Sequence, residues 1–62
     1  MARFYCPQWC HAMQGWIDLP SLASTKEREA INASEEFAER NKVQCRVIRK
    51  PHGWQPPPIP AQ

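Results

Sequence analysis

The fold is decided by residues 24–41, which read STKEREAINASEEFAERN. Apolar side chains recur there at helical spacing, and charged side chains occupy the opposite side of the predicted helix. Ser24 is the predicted N-cap because Glu27, three residues later, completes a capping box, and Asn41 suits a left-handed helix end. Such a helix is not stable alone and needs an apolar surface to lie on. Its apolar positions are Ala30, Ile31, Ala33, Phe37 and Ala38.

Three short segments around the helix are predicted to be strands that supply this surface. They are the aromatic-rich residues 3–10, the alternating residues 16–19 and the β-branched residues 43–50. Pro7 interrupts the first segment, because a proline cannot donate to a sheet ladder. The order β-β-α-β predicts an α+β domain, with a three-stranded antiparallel sheet and one helix packed on one face. This single domain is predicted to span residues 1–50, followed by a flexible, proline-rich tail over 51–62.

Length, charge and cysteine content narrow the classes of function. Sixty-two residues form one small domain with little room for an enclosed active site, so we expect a protein that is not an enzyme. There is no apolar run of membrane-spanning length and no signal-peptide pattern, and three cysteines are an odd number. These features predict a cytoplasmic protein without a membrane partner. The net charge of +2 combines an acidic helix with a basic segment after it.

The chain resembles a group of short uncharacterised proteins that are common in bacterial genomes and prophages. The elements that carry the resemblance are Phe4-Tyr5, the segment 16–19, the helix start at 25–27 and Arg46-Val47-Ile48. The resemblance covers about residues 3–50 and departs at Cys6-Pro7, where an uninterrupted strand is expected. It implies the β-β-α-β fold and a bacterial or prophage origin, and it brings no established activity.

The cysteines suggest a zinc site as an alternative function. Two thiols and an imidazole fall within six residues, and a third thiol could lie across the sheet. A Cys3His set is a common structural zinc site in small proteins, although three residues separate Cys6 and Cys10 where the familiar knuckle has two. The ordinary interpretation is that Cys6 and Cys45 are small core residues. The candidate ligands are Cys6, Cys10, His11 and Cys45.

Strand alternation predicts the main binding surface. One sheet face would receive Phe4, Cys6 and the apolar residues that pack on the helix, and the other face would have no helix to cover it. That uncovered face would be aromatic with a basic rim, a composition typical of a protein partner's site or a homodimer interface. It could also stack the bases of single-stranded nucleic acid, or be covered by the tail through Trp54. The candidate binding residues are Tyr5, Trp9, Trp16, Arg46, Ile48 and Lys50.

The proline-rich tail and the two histidines give weaker indications of function. Pro57 and Pro60 satisfy a PxxP spacing in a segment that favours polyproline II, a spacing that is frequent by chance. His11 and His52 are the two imidazoles of the chain, and no spacing gives either of them a catalytic partner. The sequence therefore predicts a small binding or interaction protein.

Overall fold

The computed structural model describes residues 3–57 and contains a three-stranded antiparallel sheet with one helix. The strands are β1 (Tyr5–His11), β2 (Gly15–Asp18) and β3 (Cys45–Arg49), and the helix α1 spans Glu27–Asn41. A 3-10 turn at Pro20–Leu22 precedes the helix. The predicted α+β class and element order are confirmed. Residues 58–62, with Pro60 of the PxxP motif, lie outside the described residues.

Strand β1 is the centre of the sheet, with β2 on one side and β3 on the other. Both neighbours are antiparallel to β1, so β2 and β3 run parallel to each other and α1 forms the crossover between them. We assign the helix to the face that carries the fully buried Pro7, because the opposite face carries the mutual polar contacts of Gln8, Asp18, Arg46 and Lys50. A right-handed crossover is the strongly preferred hand for such a connection. We call the face assigned to the helix the helix face; its strand residues are Tyr5, Pro7, Trp9, His11, Gly15, Ile17, Cys45, Val47 and Arg49.

The opposite face, here the network face, carries the remaining strand residues. Residues paired across an antiparallel sheet point to the same face, and Gln8 pairs with both Asp18 and Arg46. Phe4 and Lys50 continue this face, because the amide of Lys50 donates to the carbonyl of Phe4 at 2.9 Å. The network face consists of Phe4, Cys6, Gln8, Cys10, Trp16, Asp18, Arg46, Ile48 and Lys50.

This register shows that the predicted assignment of first-strand residues to the two sheet faces is wrong. Tyr5 and Trp9 lie on the helix face, and Phe4 and Cys6 lie on the network face, the reverse of the prediction. Alternation within a strand fixes which of its residues share a face, but a shift of one residue in pairing exchanges the faces. In the observed register, Pro7 is fully buried on the helix face of the sheet.

Pro7 is accommodated in the central strand because of where its missing amide would point. The backbone groups of Phe4 and Cys10 point toward the β3 side of the sheet and form hydrogen bonds there. Backbone direction alternates along a strand, so the nitrogen of Pro7 points away from β3 and no hydrogen bond to β3 is lost. On the β2 side, the amide of Leu19 donates to the carbonyl of Pro7 at 2.8 Å, just beyond the end of β2. The proline therefore costs one ladder bond at the end of a short strand.

The helix begins later than the sequence predicts. Its N-cap is Lys26, which has no side-chain capping bond, and Ser24 lies outside the helix. Ser24 is drawn into the sheet instead: its backbone exchanges hydrogen bonds of 2.7 and 3.0 Å with Tyr5. Its hydroxyl accepts from the amide of Lys26 and donates to Glu29, so the predicted capping box is wrong. At the other end, Lys42 rather than Asn41 adopts the left-handed conformation.

The core of the described residues is small. Cys6, Pro7 and Ala30 are fully buried, and Gln8 and Ser34 are the buried polar residues. Ala30 and Ser34 are one helical turn apart, so the helix approaches the sheet through its smallest side chains. Most large apolar side chains are half-buried, which leaves apolar surface that a partner could cover.

Candidate functional site

A chain of polar contacts crosses all three strands on the network face. The Gln8 side chain is at its centre: its Nε2 donates to Asp18 Oδ1 at 2.6 Å, and its Oε1 accepts from Arg46 Nε at 2.8 Å. Lys50 Nζ donates to the other carboxylate oxygen of Asp18 at 2.7 Å. A carboxylate can only accept and a guanidinium can only donate, so the orientation of the Gln8 amide is fixed by its neighbours.

This network is partly shielded from water. Gln8 is 8% exposed, and the side chain of Lys50 is 13% exposed. The hydrogen bonds from Gln8 and then from Lys50 hold the pKa of Asp18 below its ordinary value. The network therefore contains an ionised Asp18 at neutral pH, and one positive charge remains after Lys50 and Asp18 neutralise each other.

The remaining positive charge belongs to Arg46, which lies over an exposed tryptophan. The guanidinium carbon of Arg46 is 4.2 Å from the centroid of the Trp16 ring. Trp16 is 38% exposed, and Met13 at the tip of the same hairpin is 90% exposed. We call Met13, Trp16 and Arg46 the open surface. Aromatic residues, methionine and arginine are the types enriched at protein interfaces.

The other end of the network face is covered by the segment after β3. The Trp54 ring packs edge-on against Phe4, with ring centroids 5.8 Å apart, and Lys50 Nζ lies 5.1 Å from the Trp54 ring. Cys6, in the same part of the face, is fully buried, and this burial raises the pKa of its thiol. Among residues 3–57, Trp54 thus covers the end of the network face that carries Phe4 and Lys50, and Trp16 at the other end is exposed.

The predicted binding residues divide between the two faces. Trp16, Arg46, Ile48 and Lys50 lie together on the network face, whereas Tyr5 and Trp9 lie on the helix face. Two polar residues that orient the site, Gln8 and Asp18, were not among the predicted binding residues. Their signal is visible in the sequence as a glutamine and an aspartate inside otherwise apolar strands. Only the register shows that they face each other.

The predicted zinc ligands also divide between the faces. Cys6 and Cys10 lie on the network face, and His11 and Cys45 lie on the helix face. Within residues 3–57 no group of three or more His, Cys, Asp or Glu side chains could hold a metal ion. The Cys3His site stays a prediction that the strand register does not support.

Neither His11 nor His52 contacts a catalytic partner among residues 3–57. His11 Nδ1 accepts from the amides of Met13 and Gln14, both at 3.1 Å, and so stabilises the hairpin turn. His52 is exposed in the turn after β3. Two open depressions lie beside the helix in the described part of the chain. One is a cleft of about 140 Å³ lined partly by Leu22 and Phe37, and the other, of about 380 Å³, is lined by the charged side chains of Glu36, Glu39, Arg40 and Lys42.

No known protein family, curated protein or solved structure matches this chain. The resemblance to short bacterial and prophage proteins therefore stays a prediction. Among residues 3–57, no helix has the length and apolar character needed to cross a membrane.

Proposed function

We propose that the chain is a small, non-catalytic binding protein that uses the open surface to bind another protein or a second copy of itself. The observation that carries this proposal is the pair formed by Trp16 and Arg46, stacked and solvent-exposed on a sheet face without a helix. Ile48 and Lys50 belong to the same face and lie toward its covered end.

The energetics of interfaces support this assignment. A few tryptophan, tyrosine and arginine side chains contribute most of the binding free energy in typical interfaces. The stacked Arg46 holds the Trp16 ring in one orientation, so little side-chain entropy remains to be lost on binding. Because the core is small, much apolar surface stays accessible to solvent in the free chain. Covering this surface with a partner would contribute favourable free energy of binding.

Single-stranded nucleic acid is a less favourable occupant of this surface. Two of the predicted stacking residues, Tyr5 and Trp9, lie on the helix face, and so does Arg49. Lys50 is already paired with Asp18, which leaves Arg46 as the cation of the open surface. Nucleic-acid affinity rises with the number of phosphates that are neutralised, so one arginine offers a weak footprint.

The proposal is tested by measuring whether association depends on the open surface. The first measurement is sedimentation equilibrium of the full chain over a range of concentrations. The second is affinity capture with the full chain as bait, followed by binding of the purified candidate partner in solution. Each is repeated with Trp16→Ala and with Arg49→Ala, which removes an exposed arginine from the helix face, at the opposite end of the sheet from Trp16.

Self-association or a purified complex that is lost in Trp16→Ala and kept in Arg49→Ala is the expected result. A loss of about tenfold in affinity corresponds to an ordinary hot-spot residue. The proposal is overturned by a chain that remains monomeric and binds no purified partner through Trp16. A partner that binds equally well to both variants would also overturn it.

A further inference from the structure

The Arg46 guanidinium is held on two of its sides and free on a third. Its Nε–H donates to the Gln8 side-chain carbonyl oxygen at 2.8 Å, and its guanidinium carbon lies over the Trp16 ring, 4.2 Å from the centroid. The two Nη groups form the remaining edge, and no carboxylate of residues 3–57 forms an ion pair with them. Both Nη groups carry N–H donors in a fixed planar geometry.

The groups that hold Arg46 are themselves fixed. Gln8 is 8% exposed, and its amide is anchored by Asp18, whose second oxygen is bound by Lys50. A mobile surface arginine would lose conformational entropy when it binds, whereas this guanidinium is already positioned. Such preorganisation is useful for a site that must recognise a planar anion.

From this geometry, and resting on the proposed function, we infer that Arg46 is the anchor for a carboxylate side chain of the partner protein. An aspartate or glutamate would accept two hydrogen bonds from the Nη edge, in the bidentate arrangement that arginine favours. Its apolar neighbours on the partner would lie against the Trp16 ring and Met13. Gln8 acts as a positioning residue, because it holds Arg46 without touching the partner.

Charge complementarity favours a carboxylate from a protein over a phosphate chain. One cation at a rim of apolar side chains matches one acidic residue within an apolar segment. A nucleic-acid strand would bring successive phosphates. Among residues 3–57 the network face offers no second unpaired cation for them, since Lys50 is engaged by Asp18. The partner is therefore expected to present an isolated acidic residue.

Side-chain NMR of the full chain with matched peptide probes tests this inference. The probes are N-acetyl-Leu-Glu-Leu-amide and its neutral twin N-acetyl-Leu-Gln-Leu-amide, and the signals followed are Arg46 Nε–Hε and Trp16 Nε1–Hε1. A third arm uses short oligothymidylate. Arg46→Lys keeps the positive charge but removes the planar fork, and Arg49→Ala is the control at an arginine on the helix face.

The expected result is a saturable shift of both signals with the glutamyl peptide, and binding of the glutaminyl peptide weaker by about tenfold. Arg46→Lys keeps the charge and loses the bidentate geometry, so it should reduce that preference, judged by the Trp16 signal. Arg49→Ala should leave the preference unchanged. Equal binding of both peptides at Trp16 would overturn the carboxylate anchor while leaving the proposed function standing. Tighter binding of oligothymidylate than of the glutamyl peptide would overturn it in favour of a nucleic acid. The absence of any saturable shift would also overturn it.

Discussion

At the scale of single residues, Gln8 and the groups around it position the proposed binding surface. The sequence shows a glutamine within the first strand and an aspartate within the second, but no pattern in the chain says that they meet. Pairing across the sheet brings Gln8 between Asp18 and Arg46. The Gln8 amide then donates to the carboxylate of Asp18 and accepts from the guanidinium of Arg46. Alternation alone places Arg46, Ile48 and Lys50 on one face of the third strand, and the prediction that Trp16 of the second strand shares this face agrees with the observed register. Tyr5 and Trp9 could not be placed in this way, because a shift of one residue reverses a strand.

Asp18 makes the stability of the chain depend on pH in the acidic range. Its pKa is lowered in the folded chain by hydrogen bonds from Gln8 and Lys50, so the ionised form is stabilised by folding. This contribution is present at neutral pH and is lost as the pH falls from about 4 through the lower folded pKa. Because the Asp18 side chain is 37% exposed, we expect an effect of about 0.2–1 kcal/mol.

The measurement is urea unfolding of the wild type and Asp18→Asn at several pH values between neutral and strongly acidic. Asn at this position cannot ionise, so the difference in stability between the two proteins should shrink as the pH falls. Glu36→Gln, in the exposed pair with Arg40, is the matched control and should show a smaller change. A difference that is independent of pH would contradict the assigned role of Asp18.

At the scale of elements, the sequence predicts the order of the strands and the helix but not where the helix begins. The amphipathic pattern is strong over residues 27–41, and that is the helix observed. Ser24 has the composition of an N-cap, yet its backbone is satisfied by Tyr5 of a distant strand. A local capping signal was outweighed by a tertiary pairing, which sequence spacing does not reveal.

The helix C-terminus provides a stability prediction. Lys42 has φ 56° and ψ 46°, and its amide donates to the carbonyl of Ala38. A side chain in this left-handed conformation is strained, and glycine is not. We expect Lys42→Gly to raise the free energy of unfolding by about 0.5–1 kcal/mol, measured from urea denaturation. Lys42→Ala keeps the strain and removes the charge, so it should not stabilise. Stabilisation of both variants to the same extent would contradict this explanation.

At the scale of the whole molecule, one helix covers one face of the sheet, and Trp54 covers the end of the other face that carries Phe4 and Lys50. The predicted boundary after residue 50 divides the chain by composition, but Trp54 packs on Phe4 and Lys50 across that boundary. Folding back of the tail onto the sheet was one of the predicted possibilities. Its extent could not be predicted, because proline-rich composition does not specify which surface a single tryptophan will find.

Cysteine reactivity reports how well Trp54 closes its half of the sheet. Cys6 is fully buried, and burial raises the pKa of its thiol, whereas Cys10 and Cys45 are half-buried. Under native conditions iodoacetamide should therefore modify Cys6 more slowly than Cys10, as measured by peptide mass spectrometry. Trp54→Ala should accelerate modification of Cys6 several-fold, and Trp16→Ala should leave its rate unchanged. Equal rates at Cys6 and Cys10 in the wild type would show that this end of the face is open.

The surface around Trp16 is expected to be exposed to solvent in the isolated chain and to become covered on binding. Trp9, Trp16 and Trp54 each give an indole N–H signal, and a soluble paramagnetic co-solute weakens each signal according to its exposure. In the free chain the Trp16 signal should be weakened most. In the self-associated form or in the complex with the purified partner, Trp16 alone should become protected. A Trp16 signal that is protected in the free chain, or that is equally exposed in both states, would contradict the account.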